Sequence, residues 1–223
     1  VERGFGKPVE KNELGGSHIH ANGSGAVDNE VGSEQEAFEA IGEFLSYLPQ
    51  NVWQLPPVIE SKDPTDRRDE SLLSVIPRDR RHMYQIKEVI NSVVDLNSFF
   101  EINPGYGESL VVGLARLDGH SVGIMANDTM HHGGAVNATA SEKMMRFVDL
   151  CDTFHIPLLN LVDNPGFLIG TQAEEEGTVR LGSRALMACY QASIPWVSVI
   201  IRRCYGVAGA GHGNADGLNL RYA

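Results

Sequence analysis

The run Trp196-Val197-Ser198-Val199-Ile200-Ile201 constrains this chain most. It is short, rich in β-branched residues and introduced by Pro195, and so reads as a buried strand. It feeds directly into Arg202-Arg203-Cys204-Tyr205-Gly206-Val207-Ala208-Gly209-Ala210-Gly211-His212-Gly213, with four glycines in eight residues. Glycines at a strand end let the backbone turn sharply and approach another group closely. Two readings follow. The N–H groups at the start of a small-residue helix could converge on an anion or a developing oxyanion. The stretch could equally be a tight turn packed against a neighbouring helix, and local sequence leaves both open.

The rest of the composition sets bounds. With 223 residues, 42% of them hydrophobic, the chain can bury a real core as one large domain or two small ones. A formal net charge of −11 argues against a nucleic-acid backbone or an anionic membrane as the main partner. No apolar run approaches transmembrane length. No signal-peptide pattern opens the chain, although Val1 is not a natural start and an earlier segment is expected. Cys151, Cys189 and Cys204 are an odd number without metal-type spacing, which fits a reducing compartment.

Taken in order, residues 1–32 read as a glycine-rich loop segment in which His18 and His20 are polar loop residues without a third ligand. Ser33 and Glu36 form a capping box for a helix whose Ala37, Ile41, Phe44, Leu45 and Leu48 share a face. Pro49 ends it, and residues 49–80, which include Pro56, Pro57 and Pro64, read as a linker or extended crossover. A second helix carries Ile86, Val89, Ile90, Val93 and Val94 at helical spacing. Strands follow at 99–102, 110–117 and 121–126, the last two joined by the type I′ signal Asp118-Gly119. His131-His132-Gly133-Gly134 is a glycine turn whose histidines suit a loop or a partner contact. Thr139 with Glu142 predicts a capping box for a helix burying Met144, Phe147, Val148 and Cys151. The strand 158–163 breaks at Asn164-Pro165-Gly166-Phe167. Thr171 with Glu174 predicts another capped helix, running to about Ala192 with weak points at Gly177 and Gly182. Strands separated by crossover-length helices imply an α/β fold with its crevice at the C-terminal strand ends.

Several residues carry a family resemblance. They include Glu13-Leu14-Gly15-Gly16, Tyr47-Leu48-Pro49, Asp63-Pro64 with Asp66-Arg67, Cys151-Asp152 with Ile156-Pro157-Leu158, Val162-Asp163, Pro165-Gly166-Phe167 with Gly170-Thr171, and Arg203 with Tyr205-Gly206. In these the chain resembles the β subunit, or carboxyltransferase component, of biotin-dependent acyl-CoA carboxylases such as propionyl-CoA carboxylase. The resemblance implies a crotonase-like ββα superhelix in two halves: the end of an N-terminal half at residues 1–60, and an incomplete C-terminal half at 61–223. It implies an internal fragment of a longer protein, with a companion oxyanion hole for the acyl-CoA upstream of Val1, and an isolated chain without activity of its own.

The implied reaction moves CO2 from carboxybiotin to the α-carbon of an acyl-CoA through enolates held by N–H donors. The implied catalytic positions are Gly206, which sets the turn, and Val207 and Ala208, whose amides face the biotin oxygen. Pro165, Gly166, Phe167, Tyr205, Gly209 and Ala210 are the implied contacts to cofactor and substrate, and no metal is implied. The implied partners are a biotin carboxylase with its biotin carrier, and further copies of the same subunit sharing the site. The expected compartment is the bacterial cytoplasm, or the mitochondrial matrix in a eukaryote.

The family usually reads Tyr-Gly-Gly-Ala-Tyr where this chain has Tyr205-Gly206-Val207-Ala208-Gly209. Valine can donate its N–H there only if the turn does not need a positive φ at that position. The small Ala210 would admit a bulkier acyl chain. Alternatives are a biotin-dependent decarboxylase and a biotin-independent crotonase-type enzyme, which would want a free carboxylate such as Asp163 near the turn. A non-catalytic scaffold subunit is a further alternative. Ser141 and Ser183 lie in helical stretches, which speaks against a serine protease. Cys204 has no adjacent histidine base, although nearby Arg203 would lower its pKa.

Overall fold

The alternation read from the sequence builds one six-stranded sheet in which strand order equals chain order. The strands are β1 (Phe100–Ile102), β2 (Leu110–Leu117), β3 (His120–Asn127), β4 (Leu158–Asn164), β5 (Trp196–Cys204) and β6 (Asn219–Tyr222). The first three are antiparallel neighbours, and β3 to β6 run parallel. The computed structural model describes residues 4, 6–64, 66–79, 81–215 and 217–223.

Among the described residues seven α-helices accompany the sheet: α1 (Lys11–Gly15), α2 (Glu34–Ser46), α3 (Ile86–Val93), α4 (Ala138–Thr153), α5 (Thr171–Glu175), α6 (Thr178–Gln191) and α7 (Gly206–Ala210). Parallel crossovers are right-handed. With strands added in one direction, α4 and α6 therefore fall on the same face. Side-chain alternation agrees. Val112, Leu114, Met125, Leu158 and Trp196 pack with Phe147 and Cys151 of α4 and Cys189 of α6. Val111, Ala115, Ile124 and Leu161 pack with Ile86, Val89 and Ile90 of α3 on the other face. A sheet that winds forward with its crossover helices α4 and α6 on one side is the α/β superhelix that the family resemblance implies.

The β2–β3 hairpin turns at Asp118 (φ 49°) and Gly119 (φ 76°). The Asp95 carboxylate accepts from both turn amides, at 2.9 and 2.8 Å. The C-terminal end of α2 docks here. Arg116 stacks over the Tyr47 ring, 4.8 Å from its centroid, and donates to the Ser46 carbonyl at 2.8 Å.

Four sequence expectations change. Residues 1–32 hold α1 and a π-helical turn at Ile19–Gly23. The α4 cap is Asn137, whose Oδ1 accepts from Ala140 N–H at 2.9 Å, in place of Thr139. No Thr171 cap forms. Gly170 precedes α5, and its carbonyl accepts from Glu174 N–H. Gly177 takes a left-handed φ of 78° and breaks the expected single helix into α5 and α6. The weak point at Gly182 has a packing cause, because a Cβ there would come within 2.6 Å of the Phe167 ring.

Gly123 shows how tightly α4 seats on the sheet. A Cβ there would lie 2.6 Å from Cys151 Sγ and 3.2 Å from the Phe147 ring. Gly123→Val should destabilise by about 1–3 kcal/mol in chemical denaturation. Cys151→Ala in the same chain should recover part of that loss, since the two sites share one contact.

Candidate functional site

Because β3, β4 and β5 are parallel neighbours, their C-terminal ends share one sheet edge. Each strand leaves that edge through glycine: Gly133 and Gly134 after β3, Gly166 after β4 and Gly206 after β5. The strand ends are joined by buried side chains. Asn127 Oδ1 accepts from Asp163 N–H at 3.2 Å, and Asn127 Nδ2 donates to the Gly134 carbonyl at 3.2 Å. Asn164 Oδ1 accepts from Gly166 N–H at 2.8 Å, and the Asn164 carbonyl accepts from Tyr205 N–H at 3.0 Å.

Beneath the turns lies Asp163, with no solvent exposure. Arg202 Nε donates to Oδ2 at 2.8 Å and Arg203 Nε to Oδ1 at 2.6 Å. Consecutive strand residues point to opposite faces, so one carboxylate should not reach both. The ladder explains it: Val162 pairs with Ile200 and Asn164 with Cys204, so β5 carries two more residues than β4 over this interval. The resulting bulge re-aims both guanidiniums. Tyr84 completes the cluster, donating to Oδ2 at 3.1 Å while the Arg202 guanidinium stacks 4.7 Å from its ring centroid. Burial and then the Asp163 charge push the Tyr84 phenol well above its ordinary pKa, so it stays a donor.

The opening motif now resolves into parts. Among its four glycines only Gly206 has a positive φ, at 65°. The others are fixed by neighbours: a Cβ on Gly209 would crowd Cys204, on Gly211 Leu186, and on Gly213 Asn219. Val207 is not among the positive-φ residues, so its valine side chain is compatible with the turn. The N–H groups of Gly206, Val207 and Ala208 begin α7 and have no backbone or side-chain acceptor among the described residues. Gly209 N–H is the first satisfied one, donating to the Tyr205 carbonyl at 3.2 Å.

The other predicted positions fall around this turn. Ala208 is buried, and Tyr205, Gly206, Val207 and Ala210 are exposed. Pro165 and Gly166 are half-buried beside Asn164, and the Phe167 ring turns onto α6 at Gly182. Partial burial raises the Cys204 thiol, contrary to the expected lowering by Arg203, whose guanidinium is held by Asp163. His131 Nδ1 lies 3.6 Å from Glu108, an exposed pair. No group of three potential ligands suited to a metal occurs among the described residues.

Sequence reasoning missed Tyr84, Asn127 and Asn164. The available signal was an asparagine at the end of each of two strands that otherwise read as buried. Asp163→Asn should leave a buried guanidinium uncompensated and destabilise by about 3–5 kcal/mol, measured by urea denaturation.

Known proteins resemble this chain in sequence and in fold. The profile of the carboxyl transferase domain matches residues 1–216. The propionyl-CoA carboxylase carboxyltransferase subunit of Haloferax mediterranei is 42% identical over 203 residues, covering 91% of this chain and 39% of that protein. The methylmalonyl-CoA decarboxylase subunit alpha of Veillonella parvula is 37% identical over 201 residues, covering 90% and 40%. The transcarboxylase 12S crystal structure with methylmalonyl-coenzyme A bound superposes with a TM-score of 0.90 at 33% identity, over 95% of this chain and 41% of that one. The chain thus spans about two fifths of the length of the curated relatives it matches. With the profile matched across nearly all its residues, the chain belongs to the carboxyl transferase domain family.

Proposed function

We propose that this chain forms the biotin-facing part of a carboxyltransferase that moves a carboxyl group from carboxybiotin to the α-carbon of an acyl-CoA resembling propionyl-CoA. One observation carries the reading. Gly206 takes the left-handed φ, and the Val207 and Ala208 N–H groups in the following turn have no acceptor among the described residues. Family membership and the methylmalonyl-coenzyme A bound in the transcarboxylase structure support it.

Bound carboxybiotin supplies the activated carboxyl group and an oxygen on which negative charge grows as that group leaves. The chain's part is to hold that charge. Two backbone donors already fixed in place need no reorganisation at the moment of reaction, and removing one such donor costs about 2.7–4 kcal/mol of transition-state stabilisation. The Asn164 carbonyl fixes the start of α7 through Tyr205 N–H. The Asp163 cluster fixes the end of β5 that carries it. Pro165, Gly166 and Phe167 line the adjacent turn, and Gly209 and Ala210 complete α7.

We further propose that residues 1–60 end one crotonase-like half and residues 61–223 form most of a second. The partners are a biotin carboxylase with its carrier, and another copy of this subunit contributing the acyl-CoA side of the site. The compartment is the cytoplasm of a bacterium or the mitochondrial matrix of a eukaryote. No helix of the described residues is long and apolar enough to cross a membrane.

Decarboxylation in the reverse direction would use the same donors, and the Veillonella relative favours keeping it as a second reading. A biotin-independent enzyme is disfavoured because Asp163, its candidate base, is committed to two arginines.

Two measurements on the protein as its gene encodes it test the proposal. Val207→Pro deletes one donor and should lower kcat for carboxyl transfer by about 10²–10³-fold, while Val207→Ala keeps the donor and should stay within about threefold of wild type. Wild-type rates in Val207→Pro would remove the amide from the mechanism. In acyl-CoA competition, propionyl and longer chains should compete with acetyl, and Ala210→Phe should penalise the longer chains by about tenfold or more. Strict acetyl preference in the wild type would contradict the role of Ala210.

A further inference from the structure

The loop after α7 holds a histidine that the proposed reaction does not use. His212 is 3% exposed and sits between two buried asparagines of β4. Its Nε2 lies 2.8 Å from Asn164 Nδ2, and its Nδ1 lies 2.8 Å from the Asn160 amide. The proton positions follow from the surroundings. Asn164 Oδ1 is occupied by Gly166 N–H, so Asn164 Nδ2 faces the ring and Nε2 must accept. A neutral imidazole then carries its proton on Nδ1. The Asn160 amide, turned so that its oxygen faces the ring, accepts that proton. Burial, and then the charge of Arg221, hold the imidazole neutral by lowering its pKa to about 4. The main chain is fixed as well: Ser198 Oγ donates to the His212 carbonyl at 2.8 Å, and Trp196 Nε1 donates to Ser198 Oγ at 3.0 Å.

This geometry makes Asn164 the common anchor of both ends of α7. Its carbonyl holds Tyr205 N–H just before the helix, and its amide holds His212 just after it. The same side chain caps the Gly166 turn. A five-residue helix has too little internal hydrogen bonding to hold its own orientation, so its free donors point where these two anchors direct them. We infer that His212 and Asn164 form a positioning pair that fixes the α7 N–H groups relative to the Pro165–Gly166 turn, an inference resting on the carboxyl-transfer reading of that site.

The test uses His212→Leu, which fills similar space without polar atoms, and His212→Gln, which keeps one acceptor and one donor. Both are made in the protein as its gene encodes it. Carboxyl transfer from a carboxylated biotin carrier to propionyl-CoA and amide hydrogen exchange are measured together. His212→Leu should lower kcat by about 10²-fold with KM for propionyl-CoA within about twofold of wild type. It should also speed exchange at Gly209 and Gly211, whose N–H groups bond to the Tyr205 and Ala208 carbonyls. His212→Gln should recover kcat to within about fivefold and restore slow exchange. If His212→Leu does not fold, Asn160→Ala, which removes one arm and keeps the imidazole, should give the same changes at about three- to tenfold.

Wild-type kcat and exchange in a folded His212→Leu protein, or in Asn160→Ala where that variant stands in, would overturn the pair. Equal impairment of the leucine and glutamine variants would do the same. A wild-type protein without carboxyl transfer would instead overturn the reaction. The exchange data alone would then decide whether His212 holds α7.

Discussion

The site hangs on a carboxylate that never meets water. Burying an unpaired charge is prohibitive, and a buried pair persists only where its geometry satisfies both partners. Asp163 meets that condition with two guanidiniums and a phenol, and it can do so only because β5 runs two residues ahead of β4 at this point. The ion pairs and the bulge require each other. Together they bring Cys204 opposite Asn164, and so decide where β5 ends and where α7 begins.

The larger architecture serves the same edge. Strands laid down in chain order, with right-handed crossovers, put the long helices α4 and α6 together on one face, so that neither covers the C-terminal strand ends. Three consecutive exits from the sheet are therefore adjacent in space although they lie far apart in sequence. The Asn127 side chain ties the β3 exit to Asp163 of β4, and Asn164 holds Gly166 with its side chain and Tyr205 with its carbonyl. A polar side chain buried at a strand end is costly unless every group is paired, and here pairing is what joins one turn to the next.

Much of this was legible in the residues. The strands read at 110–117, 121–126, 158–163 and 196–201 all form, because β-branched runs and the Asp118-Gly119 turn are local signals; β5 runs on to Cys204, into the stretch read as the glycine turn. The glycine turns at 166 and 206 and their common edge follow from the α/β alternation. The failures are instructive in physical terms. Thr139 and Thr171 sit at capping-box spacing, yet Asn137 and Gly170 do the work, because the preceding turns fix where the chain enters each helix. The Asp163 cluster was illegible because it depends on a ladder shift that pattern reading cannot see. Tyr84 joins it from 79 residues away. The question about Val207 was well posed from sequence, and its answer needed coordinates: the unusual dihedral belongs to the residue before it.

The four glycines of the α7 region also differ in what sequence drift can do to them. Gly206 is held by a backbone angle that no change in a neighbour can relax. Gly209 is held by the main chain of Cys204, 3.1 Å from its Cβ position, as much as by the thiol, whereas Gly211 and Gly213 are held by the side chains of Leu186 and Asn219. The two side-chain contacts can be renegotiated if both partners change together, and the backbone contact at Gly209 cannot. Across related sequences Gly206 and Gly209 should therefore stay fixed, while Gly211 and Gly213 vary in correlated pairs with the residues they touch.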